Sequence, residues 1–332
     1  MATIEVINFT DIQMNNMTEP FYLYTASTNI SRLRLRYNDP RFIISISLSL
    51  LISLLAIFSN LFNLIIIYRS PILHDTNNLL LFHLSIIDFL NGLIVVPVSV
   101  LTSIIDYSGL QLCKLQGFVL FVLYDASLAA TSAISIDRCT TVVNPYGYDS
   151  NISKRKCMLT SIYIWSLPFI IATLPLLGLE RYGLGKYNLL LFCGISFEFY
   201  DDNYLVYWIM MTFIAAAIVI ILCSYSIIFK VAFQKSLQNQ AHNNKLKKSI
   251  RTTALIVGSS LICWLPYTIY GVQSYIFRRS VVNYTPSTFK VIAVMLILIN
   301  AAINPLIYGI TNSTIRMQFY KLFRFSRIGQ TP

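Results

Sequence analysis

Residues Leu115–Cys139 read LQGFVLFVLYDASLAATSAISIDRC. Leu115–Ile136 holds one charged residue, Asp125, and an acid and a base, Asp137 and Arg138, stand side by side where the apolar run ends. Roughly 20 apolar residues cross the hydrocarbon core of a bilayer as a helix, so the stretch is long enough to span one. A lone acid in its middle and an ion pair at its edge are expensive in that setting and point to function by default.

The pattern repeats on both sides. Phe42–Tyr68, Met158–Leu179, Tyr204–Phe229, Thr252–Phe277 and Val291–Ile315 contain no Asp, Glu, Lys or Arg, and Thr76–Ile105 contains only Asp88. Seven such runs predict an all-α membrane protein, a seven-transmembrane helix bundle over 42–310. An extracellular tail of residues 1–41 precedes it, and residues 311–332 supply a short amphipathic eighth helix and a short cytoplasmic tail. The 332-residue chain is 56% hydrophobic and 12% charged, with mean hydropathy +0.64. Soluble domains carry about 25% charged residues, so the bulk composition agrees. Linkers rich in Gly, Ser or Pro, low-complexity runs and internal repeats are absent from the sequence, which predicts one membrane domain.

An odd number of spans puts the two ends on opposite faces. Sequons at Asn8, Asn16 and Asn29 make sense only on an external face. With that tail outside, the cytoplasmic segments carry 15 Lys/Arg and 3 Asp/Glu, whereas the exterior carries 10 and 9. The positive-inside rule expects this bias, so the net charge of +11 reports topology and implies no nucleic acid partner. Residues 1–40 lack the apolar segment of a cleavable signal, so the first span is expected to act as the targeting signal.

Four strings follow in order: Asp88, Asp137-Arg138-Cys139, Cys263-Trp264-Leu265-Pro266 and Asn304-Pro305-Leu306-Ile307-Tyr308. Pro266 and Pro305 fall inside apolar runs, where proline removes a helix hydrogen bond and creates a hinge. Together the strings resemble the rhodopsin-like (class A) family of G-protein-coupled receptors, over about residues 42 to 325. The resemblance implies a receptor and not an enzyme: a multi-pass plasma-membrane protein that couples an extracellular ligand to a heterotrimeric G protein.

The resemblance also assigns roles. Cys113 and Cys193 both fall on the oxidising side and match the family's external disulfide. Asp88, Ser127, Asn300 and Asn304 match the positions lining its central cation pocket. Oxygen ligands around one carboxylate suit a hard ion such as sodium, against a purely structural hydrogen-bonded network as the alternative. Asn60 fits the same network. Asp137 would hold Arg138 in the inactive state, and Trp264, Pro266, Pro305, Tyr308 and Tyr225 belong to the activation switch. Residues Ile315 to Phe325 resemble the interfacial eighth helix.

Departures matter as much. Cys139 replaces a usual Tyr, Ala217 a usual Pro and Ser260 a common Phe. The inner end of span six reads Lys245-Leu246-Lys247-Lys248, without the acid that often grips the arginine. Two outcomes stay open: a loosened Arg138 with ligand-independent signalling, or an Asp137 that suffices alone.

The upper pocket candidates are Gln116, Leu120, Tyr124, Trp264, Tyr267 and Leu298. Local wording in span six and the second external loop leans towards the opsins, but Leu298 stands where their retinal-binding lysine belongs and Gln116 where an acidic counterion would. Covalent retinal is therefore not expected; Lys290 lies two turns further out. Leu120 replaces the acid with which amine receptors grip a cation, so a peptide or a lipophilic small molecule is expected. Asp125 lies about 220° around the helix from Arg138 and is expected to make a helix-packing contact. His83 is expected to be a hydrogen-bonded packing residue. No cofactor is implied beyond an allosteric sodium ion.

Two other classes compete. A transporter could use Asp88 and Asp125 as a relay, but short broken-helix pairs are absent from the sequence. A membrane hydrolase would need a metal cluster, and the chain has only three His.

Overall fold

The computed structural model describes residues 40–70, 76–105, 110–144, 154–179, 182, 184, 186–189, 193–196, 205–237, 244–276, 288–311 and 315–318. The chain divides into two units, Met1–Ser47 and Leu48–Pro332. What is described of the first is the opening of the first helix, and everything below concerns the second. The sequons Asn8, Asn16 and Asn29 lie outside the described residues, as do the side chains of Tyr308, Lys290 and residues 245–248.

The described helices are α1 (Pro40–Arg69), α2 (Thr76–Leu90), α3 (Val96–Ile105), α4 (Leu110–Val143), α5 (Lys154–Thr173), α6 (Leu205–Leu237), α7 (Asn244–Ile276) and α8 (Thr288–Thr311). Helices α2 and α3 are two halves of one span, so the seven predicted spans are seven helical rods. Apolar stretches of 22 to 32 residues cover spans one to five, and shorter ones, Ala254–Ile269 and Val291–Ile307, lie inside α7 and α8. Of the predicted eighth helix, residues 315–318 are helical and 319–325 lie outside the described residues.

The large apolar side chains turned outwards, among them Phe58, Ile162, Phe169, Ile170 and Phe229, fit a surrounding solvent of lipid. Lipid tails are as apolar as leucine, so helices in a bilayer associate through close packing and polar contacts instead. Span four illustrates the means. Nδ1 of His83 accepts from Trp165 Nε1 at 3.2 Å, which leaves the ring proton on Nε2 to meet Ser161 Oγ at 2.9 Å. The packing role expected of His83 thus takes the form of a fixed tautomer stapling α2 to α5.

Span one supplies donors where its neighbours lose theirs to proline. A five-residue π-helical turn, Asn91–Val95, interrupts span two just before Pro97. There the Val96 N–H reaches Asn91 O, and Pro97 has no N–H to offer Gly92. Ser53 Oγ donates to the Gly92 carbonyl at 2.7 Å. In α8, Pro305 likewise frees the Ala301 carbonyl, four residues earlier, and Asn60 Nδ2 donates to it at 2.9 Å. Gly92 permits the close approach, since a Cβ there would lie 3.0 Å from Ser53 O. The break in span two was not expected from the sequence, because a proline one turn into an apolar run also reads as an ordinary kink.

The fold adds one element to the helical expectation, a small hairpin outside the bundle. Strand β1 (Lys186–Leu189) pairs antiparallel with β2 (Cys193–Ser196), Leu189 opposite Cys193. The Cys113–Cys193 disulfide joins β2 to the outer end of α4 across 80 residues of sequence.

Candidate functional site

Buried polar residues lie on α1, α2, α4 and α8, and those of α1, α2 and α8 bond to one another. Asn304 Nδ2 donates to Asp88 Oδ2 at 2.9 Å, and Ser127 faces the same carboxylate just outside strict hydrogen-bond geometry. Asp88 Oδ1, Ser127 Oγ, Asn300 Oδ1 and Asn304 Oδ1 are all buried without a hydrogen-bond partner. The structure thus gathers Asp88 with Ser127 and Asn304, and gives Asn300 the same unfilled acceptor capacity. Four buried oxygens, one of them from a carboxylate, fit a hard monovalent cation or ordered water. Among the described residues there is no group of three or more His, Cys, Asp or Glu side chains that could hold a transition metal.

At the inner end of α4, Arg138 Nε lies 3.9 Å from Asp137 Oδ2, with both side chains mostly buried. That distance is at the limit of an ion pair and too long for a hydrogen bond, so this contact is Coulombic. Tyr225 of α6, its hydroxyl buried without a hydrogen-bond partner, lies within electrostatic reach of Arg138. Pro266 and Pro305 stand inside continuous helices. Trp264, beside the first, meets Tyr124 of α4 edge to face, with ring centroids 6.1 Å apart.

Towards the outside, the predicted pocket residues do not act alike. Leu120 and Trp264 join the main core, and Tyr267 packs against it. Leu298 belongs to a smaller cluster with Ile52, Ala56 and Val96, against which Tyr124 also packs. Gln116 is buried and both ends of its amide are bonded: Thr102 Oγ1 donates to its Oε1 at 2.8 Å and its Nε2 donates to Ser99 Oγ at 2.8 Å. It ties α4 to α3, which leaves little of it to hold a ligand.

The hairpin contributes a residue that the sequence reading passed over. Tyr187 is 0% exposed and its hydroxyl donates to the Ala172 carbonyl at 2.8 Å. Its ring lies 6.0 Å from that of Phe121 and so close to α4 that a Cβ on Gly117 would collide with it, 2.9 Å from Cε1. Burial, and then the nearby charge of Asp125, push this phenol well above the ordinary tyrosine range. Gly117, four residues after Cys113, was the available signal, because a glycine in a buried helix often marks a close approach. The partner could not be read from it.

A bundle whose polar seam runs from a disulfide-pinned external hairpin to an acid–arginine pair at the inner edge defines a class: a membrane receptor that relays a change between faces. The family follows from comparison. The model of the 7 transmembrane receptor (rhodopsin family) matches residues 59–308, and the chain belongs to that family. It is 25% identical over 298 residues to adenosine receptor A2b of Gallus gallus, covering 83% of this chain and 87% of that protein. It is 27% identical over 323 residues to trace amine-associated receptor 1 of Mus musculus, covering 91% and 93%. With neuropeptide Y receptor type 1 of Xenopus laevis the figures are 23% over 297 residues, 82% and 78%. The chain is a class A G-protein-coupled receptor and not an enzyme; an extracellular ligand and a cytoplasmic G protein are its partners in general terms.

Proposed function

We propose that the chain lies in the plasma membrane with its N-terminus outside, and that an external ligand stabilises a state in which the inner ends of α6 and α7 move apart. A heterotrimeric G protein then enters at Arg138, by population shift between two packings. The observation that carries this reading is the Asp137–Arg138 pair, held at 3.9 Å beside the unsatisfied Tyr225 hydroxyl. An ion pair at the limit of contact beside an unfilled polar group can rearrange when the helices around it repack. The Asp88 cluster acts as the second part of the switch. A sodium ion held by Asp88, Ser127, Asn300 and Asn304 would favour the resting packing, because the ion needs their oxygens close together.

The ligand class is a peptide or a lipophilic small molecule, in keeping with the apolar and aromatic side chains of Leu120, Tyr124, Trp264 and Leu298. Relatives named for adenosine, trace amines and a neuropeptide do not narrow it. An opsin-like receptor holding a retinoid without a covalent bond is the second reading, favoured by the wording of span six and by Leu298 in place of a lysine.

Nucleotide exchange on heterotrimers in membranes containing the protein tests the proposal. Exchange above that of empty membranes is expected, changed by Arg138→Ala, lowered by sodium in the wild type and insensitive to sodium in Asp88→Asn. Absence of exchange under any stimulus, together with solute flux through liposomes that depends on Asp88, would replace the receptor mechanism with transport. Basal exchange above background without ligand would favour a loosened Arg138.

A further inference from the structure

The external hairpin sends side chains into the bundle as well as lying over it. Leu184, just before β1, and Tyr187, within it, are both buried in the main core. The place that receives Tyr187 has three distinct walls. Gly117 of α4 leaves the ring room against the helix, since a Cβ there would collide with it. Phe121, four residues on along the same face, sets a second ring 6.0 Å away. At the far end the Ala172 carbonyl of α5 accepts from the hydroxyl at 2.8 Å.

That acceptor has a local cause. Beyond Ala172 the helix tightens into a 3-10 turn, Leu174–Leu177, in which N–H groups reach three residues back. The residue three on from Ala172 is Pro175, which has no N–H. A flat gap over a glycine, an aromatic wall and one carbonyl at the end together complement a phenol, which brings a ring and a single donor.

The same ring heads a line of aromatic side chains that ends at a hinge. Phe121 and Tyr124 are three residues apart on α4 and therefore neighbours on its surface. Tyr124 meets Trp264 edge to face at 6.1 Å, two residues before Pro266 of α7. Tyr187 is seated in the packing where Asp137 faces Arg138 and Asn304 bonds to Asp88. A group bound in one of two packings stabilises that packing.

We propose that the slot between α4 and α5 is a phenol site occupied by the receptor's own Tyr187, and that this internal ligand favours the resting packing. The Cys113–Cys193 disulfide ties the hairpin to α4 four residues above Gly117, so the ring is held at high effective concentration. The inference deepens the receptor reading and rests on it for the sense of the effect; the site itself stands on the geometry.

The test uses the full chain in lipid nanodiscs, with p-cresol, which is the tyrosine side chain alone, as probe and toluene as the control without a hydroxyl. Tyr187→Ala should raise basal nucleotide exchange on heterotrimers at least threefold. By calorimetry p-cresol should bind that variant saturably, at least fivefold tighter than toluene, while the filled wild type binds neither, and it should return exchange towards the wild-type rate. A merely structural Tyr187 would lower exchange on removal, and p-cresol would not reverse the loss. Tyr187→Phe keeps the ring and loses the bond to Ala172, so a smaller rise is expected, and this variant decides the matter if Tyr187→Ala does not fold. Where the wild type exchanges nucleotide, a rate that the folded variant leaves unchanged or lowers overturns the proposal, as does the lack of saturable p-cresol binding to Tyr187→Ala. Saturable p-cresol binding with no exchange in any sample would instead sink the receptor mechanism and leave the phenol site standing.

Discussion

Spans three and four are alike apolar enough to cross a membrane, yet 83% of the most apolar 18-residue stretch of the first is buried inside the protein and 22% of that of the second. Apolarity therefore identifies a helix that crosses the membrane without saying whether it faces protein or lipid. The difference lies in size and polarity. Span three buries Ala126, Ser127, Ala129, Ala130, Thr131, Ser132, Ala133 and Ser135, small residues that let neighbouring backbones approach. The hydroxyls of Thr131, Ser132 and Ser135 return to the helix's own backbone and so cross the apolar core satisfied, whereas that of Ser127 is left open towards Asp88. Span four turns Met158, Leu159, Ile162, Phe169 and Ile170 outwards and keeps its specific contacts for the His83–Trp165 staple.

The largest expected contrast comes from overfilling. Ala129→Leu in span three should lower stability by about 1–3 kcal/mol, since Ala129 is wholly buried. Ile162→Ala on the exposed face of span four should stay within about 0.5 kcal/mol. Melting temperatures of the two variants in nanodiscs would break the comparison if they fell equally. The glycines sharpen it next. Gly117→Ala must displace Tyr187 and break its bond to Ala172, which costs roughly 1–3 kcal/mol. Gly178, with φ of +70° at the end of span four, has open space around it, so Gly178→Ala should cost only the backbone strain, about 1 kcal/mol. Limited proteolysis of the external loop would distinguish them, since only the first should free the hairpin. The smallest contrast concerns hydrogen bonds. Gln116→Leu removes the two side-chain bonds that tie α4 to Ser99 and Thr102 and should cost about 1 kcal/mol. Ser166→Ala in span four removes only a return bond to Ile162 and should be nearly silent in the same melting assay.

Much of the inner half of the molecule was legible because its signals are local. Asp88, Arg138, Pro266 and Pro305 are out of place in apolar runs whatever surrounds them, and the two cysteines share a compartment. The partners of Gln116, Asn60 and Tyr187 were not legible. Nothing near Gln116 says that its amide closes on Ser99 and Thr102, and nothing near Asn60 says that it caps the carbonyl freed by Pro305, 245 positions away in the chain. Tyr187 reads as one tyrosine among 21 until the hairpin carries it onto Gly117.

The sequence by itself determined that the chain crosses a membrane seven times and where polar groups fall within the spans. Those properties follow from transfer free energies that act residue by residue. Only the tertiary structure decided which buried polar groups are satisfied and which are left open. Satisfaction depends on a donor arriving from another helix within about 3 Å, and no property of a single residue encodes that arrival. Asp88 and Asp125 look alike as acids in apolar runs, and the helix beside each one separates them.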